Sequence, residues 1–195
     1  MLNLLSRKIV KRLIKNNVIK KNQTDIYIYG FSLIISNFIG FFTVLTLSLI
    51  LKSISAGLIF LLIIITLRAN TGGYHAKSYF LCNLILNLSF LICFYFSKIN
   101  LKYTFISFFL QIFIIIFSII IIIIKFIPIE NKNKRILKKR KVYKIKSIIL
   151  YLTYYTSGIY LYLHDLYLGK FILTTLNFTI IILLFELIRR RFIYE

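Results

Sequence analysis

Fifteen residues, Arg68-Ala69-Asn70-Thr71-Gly72-Gly73-Tyr74-His75-Ala76-Lys77-Ser78-Tyr79-Phe80-Leu81-Cys82, hold one of the chain's two histidines and one of its two cysteines, between apolar runs. An imidazole and a thiol together can make a thiolate nucleophile with a proton acceptor beside it, the core of cysteine acyl-transfer chemistry. His75 and Cys82 are seven residues apart, and one continuous helix would separate them by about 10.5 Å. A general base must come within about 3 Å of the proton it takes, so a straight helix through both does not serve. The expectation is a break at Gly72-Gly73. Glycine tolerates positive φ, so the chain can turn back there, and its bare backbone lets a substrate approach closely. Cys82 is then expected one turn inside the next helix, where free N–H groups and the helix dipole favour thiolate and can hold a developing oxyanion. Asn70 and Ser78 are candidates to orient His75, or else to cap the helix starting near residue 79.

The same residue types admit plainer roles. A cysteine at the start of a span is often an inert small hydrophobe, which is the reading given to Cys93. An interfacial histidine is often only a polar tip at headgroup depth. No cofactor is expected: zinc wants three or four ligands, and no C-x-x-C or H-x-x-x-H spacing is present. Cys82 and Cys93 lie eleven residues apart, about 16 Å on a helix and too far for a disulfide.

The elements around this stretch belong to a membrane. Hydrophobic residues make up 59% of 195 and the mean hydropathy is +0.86, with apolar runs too many and too long for a soluble core. The fold class is therefore all-α integral membrane protein, with about six transmembrane helices after an N-terminal interfacial amphipathic helix. In residues 1–22, Leu2, Leu5, Ile9 and Leu13 share a stripe widened by Val10 and Ile14, opposite Lys8, Lys11 and Lys15. Spans are expected at 26–51, 54–67, 79–96, 104–124, 148–163 and 171–188. The second has fourteen residues, about 21 Å against a hydrocarbon layer near 30 Å, which leaves three readings: an earlier start, a linker drawn into the interface, or a re-entrant segment. Residues 1–25 lack a compact apolar stretch with a cleavage site, so the first span is expected to act as its own insertion signal. The whole chain reads as one membrane-embedded domain, 1–195, with an amphipathic segment at 1–25, a catalytic linker at 68–79 and a basic loop at 125–146.

Net charge is +21, from 26 Lys plus Arg against 5 Asp plus Glu. The positives cluster between apolar runs, where they set topology and meet anionic lipid, and nucleic acid is not an expected partner. Taken alternately, the segments between spans hold 22 of these cations on one side and 4 on the other. The positive-inside rule makes the richer side cytoplasmic, with both termini, the 68–79 linker and the basic loop. A thiol there stays reduced. His164-Asp165 falls on the opposite face and reads as an exposed loop or a structural pair. Glu186, at helical spacing from Arg189 and Arg190, reads as an interfacial ion pair.

The run Arg68…Gly72-Gly73-Tyr74-His75-Ala76-Lys77-Ser78…Cys82 resembles the signature of the accessory gene regulator B (AgrB) family, multi-span membrane endopeptidases of Gram-positive bacteria that process a quorum-sensing pro-peptide. The chain length, the basic amphipathic start, Asp25-Ile26-Tyr27-Ile28-Tyr29-Gly30 and the Lys/Arg-rich stretch after Pro128 fit as well. The resemblance implies a bacterial cytoplasmic-membrane enzyme with Cys82 as nucleophile, His75 as its base, and Arg68 and Gly73 in support. It implies a precursor with an amphipathic leader, a signal segment and an acidic C-terminal tail. Cys82 would release the tail, and the thioester would pass to a Cys or Ser of the peptide, closing a thiolactone or lactone. It also implies a homodimer. Lys132, Lys134, Arg135, Lys138, Lys139, Arg140 and Lys141 could attract the acidic tail, and topology and lipid contact account for them equally well. The competing class is a non-catalytic peptide exporter or regulatory partner that binds through the basic loop.

Overall fold

The computed structural model describes residues 2–71, 78–98, 113, 116, 140–164 and 166–194. These residues form helices joined by turns, with no strand among them, in keeping with the expected all-α class. The helices are α1 (Leu2–Lys15), α2 (Thr24–Ile50), α3 (Ile54–Thr71), α4 (Tyr79–Lys98), α5 (Arg140–Leu163) and α6 (Tyr167–Tyr194), with a 3-10 turn, Lys21–Gln23, leading into α2. Among the described residues, α2, α3, α4 and the Tyr167–Glu186 part of α6 are long and apolar enough to cross a bilayer. The chain is a membrane protein. The expected span at 104–124 lies outside the described residues except for 113 and 116, which are helical.

Lipid offers no hydrophobic drive between helices, so close approach of small residues and polar contacts must hold the bundle. In α2 the buried positions are Ser32, Ser36, Gly40, Val44 and Ser48, one every four residues. Phe38 and Phe42, by contrast, are 60% and 62% exposed. A Cβ at Gly40 would lie 2.8 Å from Asn83 Oδ1 on α4, and one at Gly57 of α3 would lie 2.5 Å from Ser48 Cβ. Hydrogen bonds tie the same crossings, with Asn83 Nδ2 donating to the Ser36 carbonyl at 3.2 Å and Asn87 Nδ2 to Thr43 Oγ1 at 3.0 Å.

Helix α1 is amphipathic as expected, but it docks on α2 by its small edge. Ser6 and Val10 are fully buried, and Ser32 Oγ donates to Ser6 Oγ at 2.8 Å. Leu4, Leu5 and Ile9 stay exposed, which leaves the apolar stripe for lipid. The helix closes on Asn17 at φ 56°, with Val18 N–H bonded to the Leu13 carbonyl and Asn17 N–H to that of Ile14. Lys52, at φ 53°, ends α2 in the same left-handed cap, so α3 can start at Ile54.

The core has two parts. Phe60, Phe90, Phe94 and Phe171 join α3, α4 and α6 through aromatic contacts, with Phe60 and Phe90 centroids 5.4 Å apart. Ile63, Leu67, Tyr151, Ile172, Leu176 and Ile180 join α3 to α5 and α6. The α5–α6 hairpin closes at Gly169, where a Cβ would meet the Tyr162 backbone.

Several boundaries differ from expectation, α6 running on to Tyr194 and α1 ending at Lys15. Helix α3 continues four residues past Leu67 to 18 residues, about 27 Å and enough to cross. Its polar end is satisfied internally, with Asn70 Nδ2 donating to the Thr66 carbonyl at 2.8 Å and Thr71 Oγ1 to that of Leu67 at 2.9 Å. Residues 68–71 of the expected linker are therefore helix. Likewise 140–146 of the expected basic loop form the first two turns of α5, and α6 starts four residues early. Glu186, fully buried, pairs with Arg189 at 3.0 Å as its spacing foretold.

Candidate active site

Arg68 lies in the last turn of α3 and Cys82 in the first turns of α4. Arg68 Nη2 donates to Cys82 Sγ at 3.5 Å across the two helices. The continuation of α3 past Leu67 makes this contact, because it sets Arg68 on a rigid element. Threonine hydroxyls anchor that end: Thr66 Oγ1 donates to the Leu62 carbonyl at 2.6 Å and shares a hydrogen bond with Tyr154 Oη of α5 at 2.9 Å.

Ser78 caps α4. Its Oγ accepts from Leu81 N–H at 3.2 Å, and its carbonyl accepts from Cys82 N–H at 3.1 Å. Ser78 thus holds the capping position, and His75, the partner in its other expected role, lies outside the described residues. The N–H groups of Leu81 and Cys82 thus both bond to Ser78. Among the described residues, the positive group at the sulfur is the Arg68 guanidinium. Asn70 directs its amide nitrogen to its own helix.

Gly72, Gly73 and His75 lie outside the described residues, as do Lys132, Lys134, Arg135, Lys138 and Lys139. Arg140 and Lys141 open α5, whose middle residue Tyr151 lines the same cavity as Cys82. The remaining candidate of the opposite face, His164, is exposed beside the Tyr160 ring at 4.6 Å. The start of α6 is joined to the far end of α4 by Ser97 Oγ donating to Tyr167 Oη at 3.0 Å. Ser97 lies about 22 Å along α4 from Cys82, so His164 is at the other end of the bundle, as the charge pattern implied.

Cys82 and Arg68 border a cavity of about 80 Å³, several times what a single water needs. From α3 come Ile64, Leu67 and Thr71; from α4, Ile85, Leu86 and Ser89; from α5 and α6, Tyr151, Thr179, Ile182 and Leu183. Sequence reasoning missed these. The α4 set could have been read from Cys82 by helical spacing, at three, four and seven residues on. The α6 set carries no such signal, because only the packing of α3, α4 and α6 brings it there. Cys93 is buried in the aromatic core at 1% exposure.

Comparison with known proteins follows the same lines. The family model described as Accessory gene regulator B matches residues 6–192. A protein of Clostridium perfringens (strain 13 / Type A), provisionally named there as AgrB-like protein 2, is 29% identical over 150 residues, which cover 69% of this chain and 70% of that one. No solved structure matches.

Proposed function

The chain belongs to the accessory gene regulator B family, and on that premise we propose that it is a cysteine endopeptidase that cleaves and cyclises a signal pro-peptide. Family membership itself carries involvement in processing the pro-peptide of a quorum-sensing system. The finer reading rests on one observation, the Arg68 guanidinium 3.5 Å from the Cys82 sulfur. A fixed cation beside a thiol balances the charge of a thiolate and of the anion that forms when it attacks a carbonyl.

In the proposed reaction His75 takes the Cys82 proton and the thiolate adds to the peptide carbonyl. The C–N bond breaks, the imidazolium returns the proton to the departing amine, and the tail leaves. A Cys or Ser side chain of the retained segment then attacks the thioester, freeing Cys82 and closing a thiolactone or lactone. Forming a thioester from an amide is uphill, so removal of the tail must draw the first step forward, and the apolar walls must keep water from the acyl-enzyme.

The reading extends to the whole molecule. It is one membrane-embedded unit, multi-pass in the bacterial cytoplasmic membrane with both termini cytoplasmic, and it acts as a homodimer. Lys and Arg around 132–141 draw an acidic substrate tail, and the cationic face of α1 meets anionic lipid. Gly72 and Gly73 give the turn that brings His75 to the sulfur.

The test is co-expression with a candidate precursor, one with an amphipathic leader and an acidic tail, reading tail release by mass spectrometry. Cys82→Ala and His75→Ala are each expected to abolish release while the protein stays in the membrane. Release that survives both substitutions overturns the peptidase reading, and export of uncleaved peptide would favour the exporter.

A further inference from the structure

We propose that the cavity beside Cys82 is the pocket for the side chain of the residue whose carbonyl is attacked, and that it selects a large aliphatic or aromatic one. This rests on Cys82 being the nucleophile.

Three observations carry it. Cys82 is part of the pocket's lining, so an acyl group on its sulfur places the side chain of its own residue nearest these walls. The pocket extends from Cys82 to Ser89, about 10.5 Å along α4, deeper than a methyl group needs. Its polar walls already have partners. Ser89 Oγ donates to the Ile85 carbonyl at 2.6 Å and Thr71 Oγ1 to that of Leu67. Tyr151 Oη and Thr179 Oγ1 lie 3.4 Å apart, and Thr179 also bonds the Leu176 carbonyl at 2.7 Å. A polar side chain entering here would lose its hydration with little to replace it. An apolar one gains roughly fourfold in binding for each methylene buried against Ile64, Ile85, Leu86 and Leu183.

Alkyl methanethiosulfonates test this without a peptide. The thiolate attacks the sulfenyl sulfur, methanesulfinate leaves, and the alkylthio group stays on Cys82 as a mixed disulfide. Full-length protein in lipid nanodiscs is treated with the methyl, butyl and benzyl reagents and with the sulfonated ethyl one. Each rate is divided by that of a control thiol, Phe80→Cys in a Cys82→Ser chain, because Phe80 is exposed on the outside of α4 and reports partitioning into lipid alone. The normalised rate is expected to rise about tenfold or more from methyl to butyl, with the sulfonated reagent slowest. Ser89→Phe fills the pocket and should flatten the series. Ile182→Phe fills it from α6 and keeps the test valid if the first variant does not fold. A series that is flat in the parent chain, or unchanged by fillings that fold, overturns the proposal. So does native mass spectrometry that finds a lipid acyl chain held there and displaced by the fillings. Disulfide exchange needs no peptide cleavage, so this outcome is separable from failure of the peptidase reading, which Cys82→Ala reports.

Discussion

At the scale of the residue, the pairing of Arg68 with Cys82 matters most. The two are fourteen positions apart in the chain, and their meeting at 3.5 Å needs a helical Arg68. Removing the cation while keeping hydrogen-bonding capacity, in Arg68→Gln, should slow alkylation of Cys82 by iodoacetamide about tenfold or more. Arg68→Lys keeps the charge but loses the planar fork, so an intermediate rate is expected. Equal rates in all three chains would leave Arg68 a packing residue. The sequence made Arg68 a matching position through family resemblance and left its target unnamed. What hid the target was the polarity of Arg68-Ala69-Asn70-Thr71, which reads as linker. Side chains that bond the carbonyl four residues back, as Asn70 and Thr71 do, let such a run stay helical. Ser78 was legible as a cap from its type and place alone.

At the scale of the element, the bundle is held where helices touch through glycine and serine, and the cost of enlarging each glycine should follow what its new methyl meets. Gly169→Ala should be worst, because the obstacle is Tyr162 and Leu161 backbone. Gly57→Ala pushes on Ser48 Cβ, and Gly158→Ala only on the Ile172 and Leu173 side chains at 3.0 Å or more. Overpacking costs about 1–3 kcal/mol, whereas Gly30→Ala, with nothing within 4 Å, should be neutral or gain up to about 1 kcal/mol of helix propensity. Thermal unfolding in detergent reads the order, and a Gly30 variant as damaging as the Gly169 one would contradict it. Span positions were largely legible, since α2 and α4 begin and end within two residues of the expected 26–51 and 79–96. The early start of α5 was not, because Arg140 and Lys141 look like loop where the chain is already helical. The docking edge of α1 was legible only in part: hydrophobicity puts Val10 in the apolar stripe but gives no sign of Ser6, which packing in lipid buries beside it.

At the scale of the whole molecule, the prediction concerns sidedness. Lys52 and Ser78 are both exposed and lie at opposite ends of α3 and α4. In a chain carrying Cys82→Ser, Lys52→Cys should react with a membrane-impermeant maleimide in intact cells. Ser78→Cys should react only after permeabilisation, and the reverse pattern would invert the proposed orientation. Helix class and the separation of His164 from Cys82 could be read from charge and hydropathy, whereas the cavity could not, since it is a product of four helices meeting. The seclusion of Cys93 also has a practical yield. With its sulfur walled in by phenylalanines and that of Cys82 partly open, a brief dose of a mild alkylator should add a single tag per polypeptide. Weighing the intact protein would then count functional centres in any preparation, with no engineering of the gene.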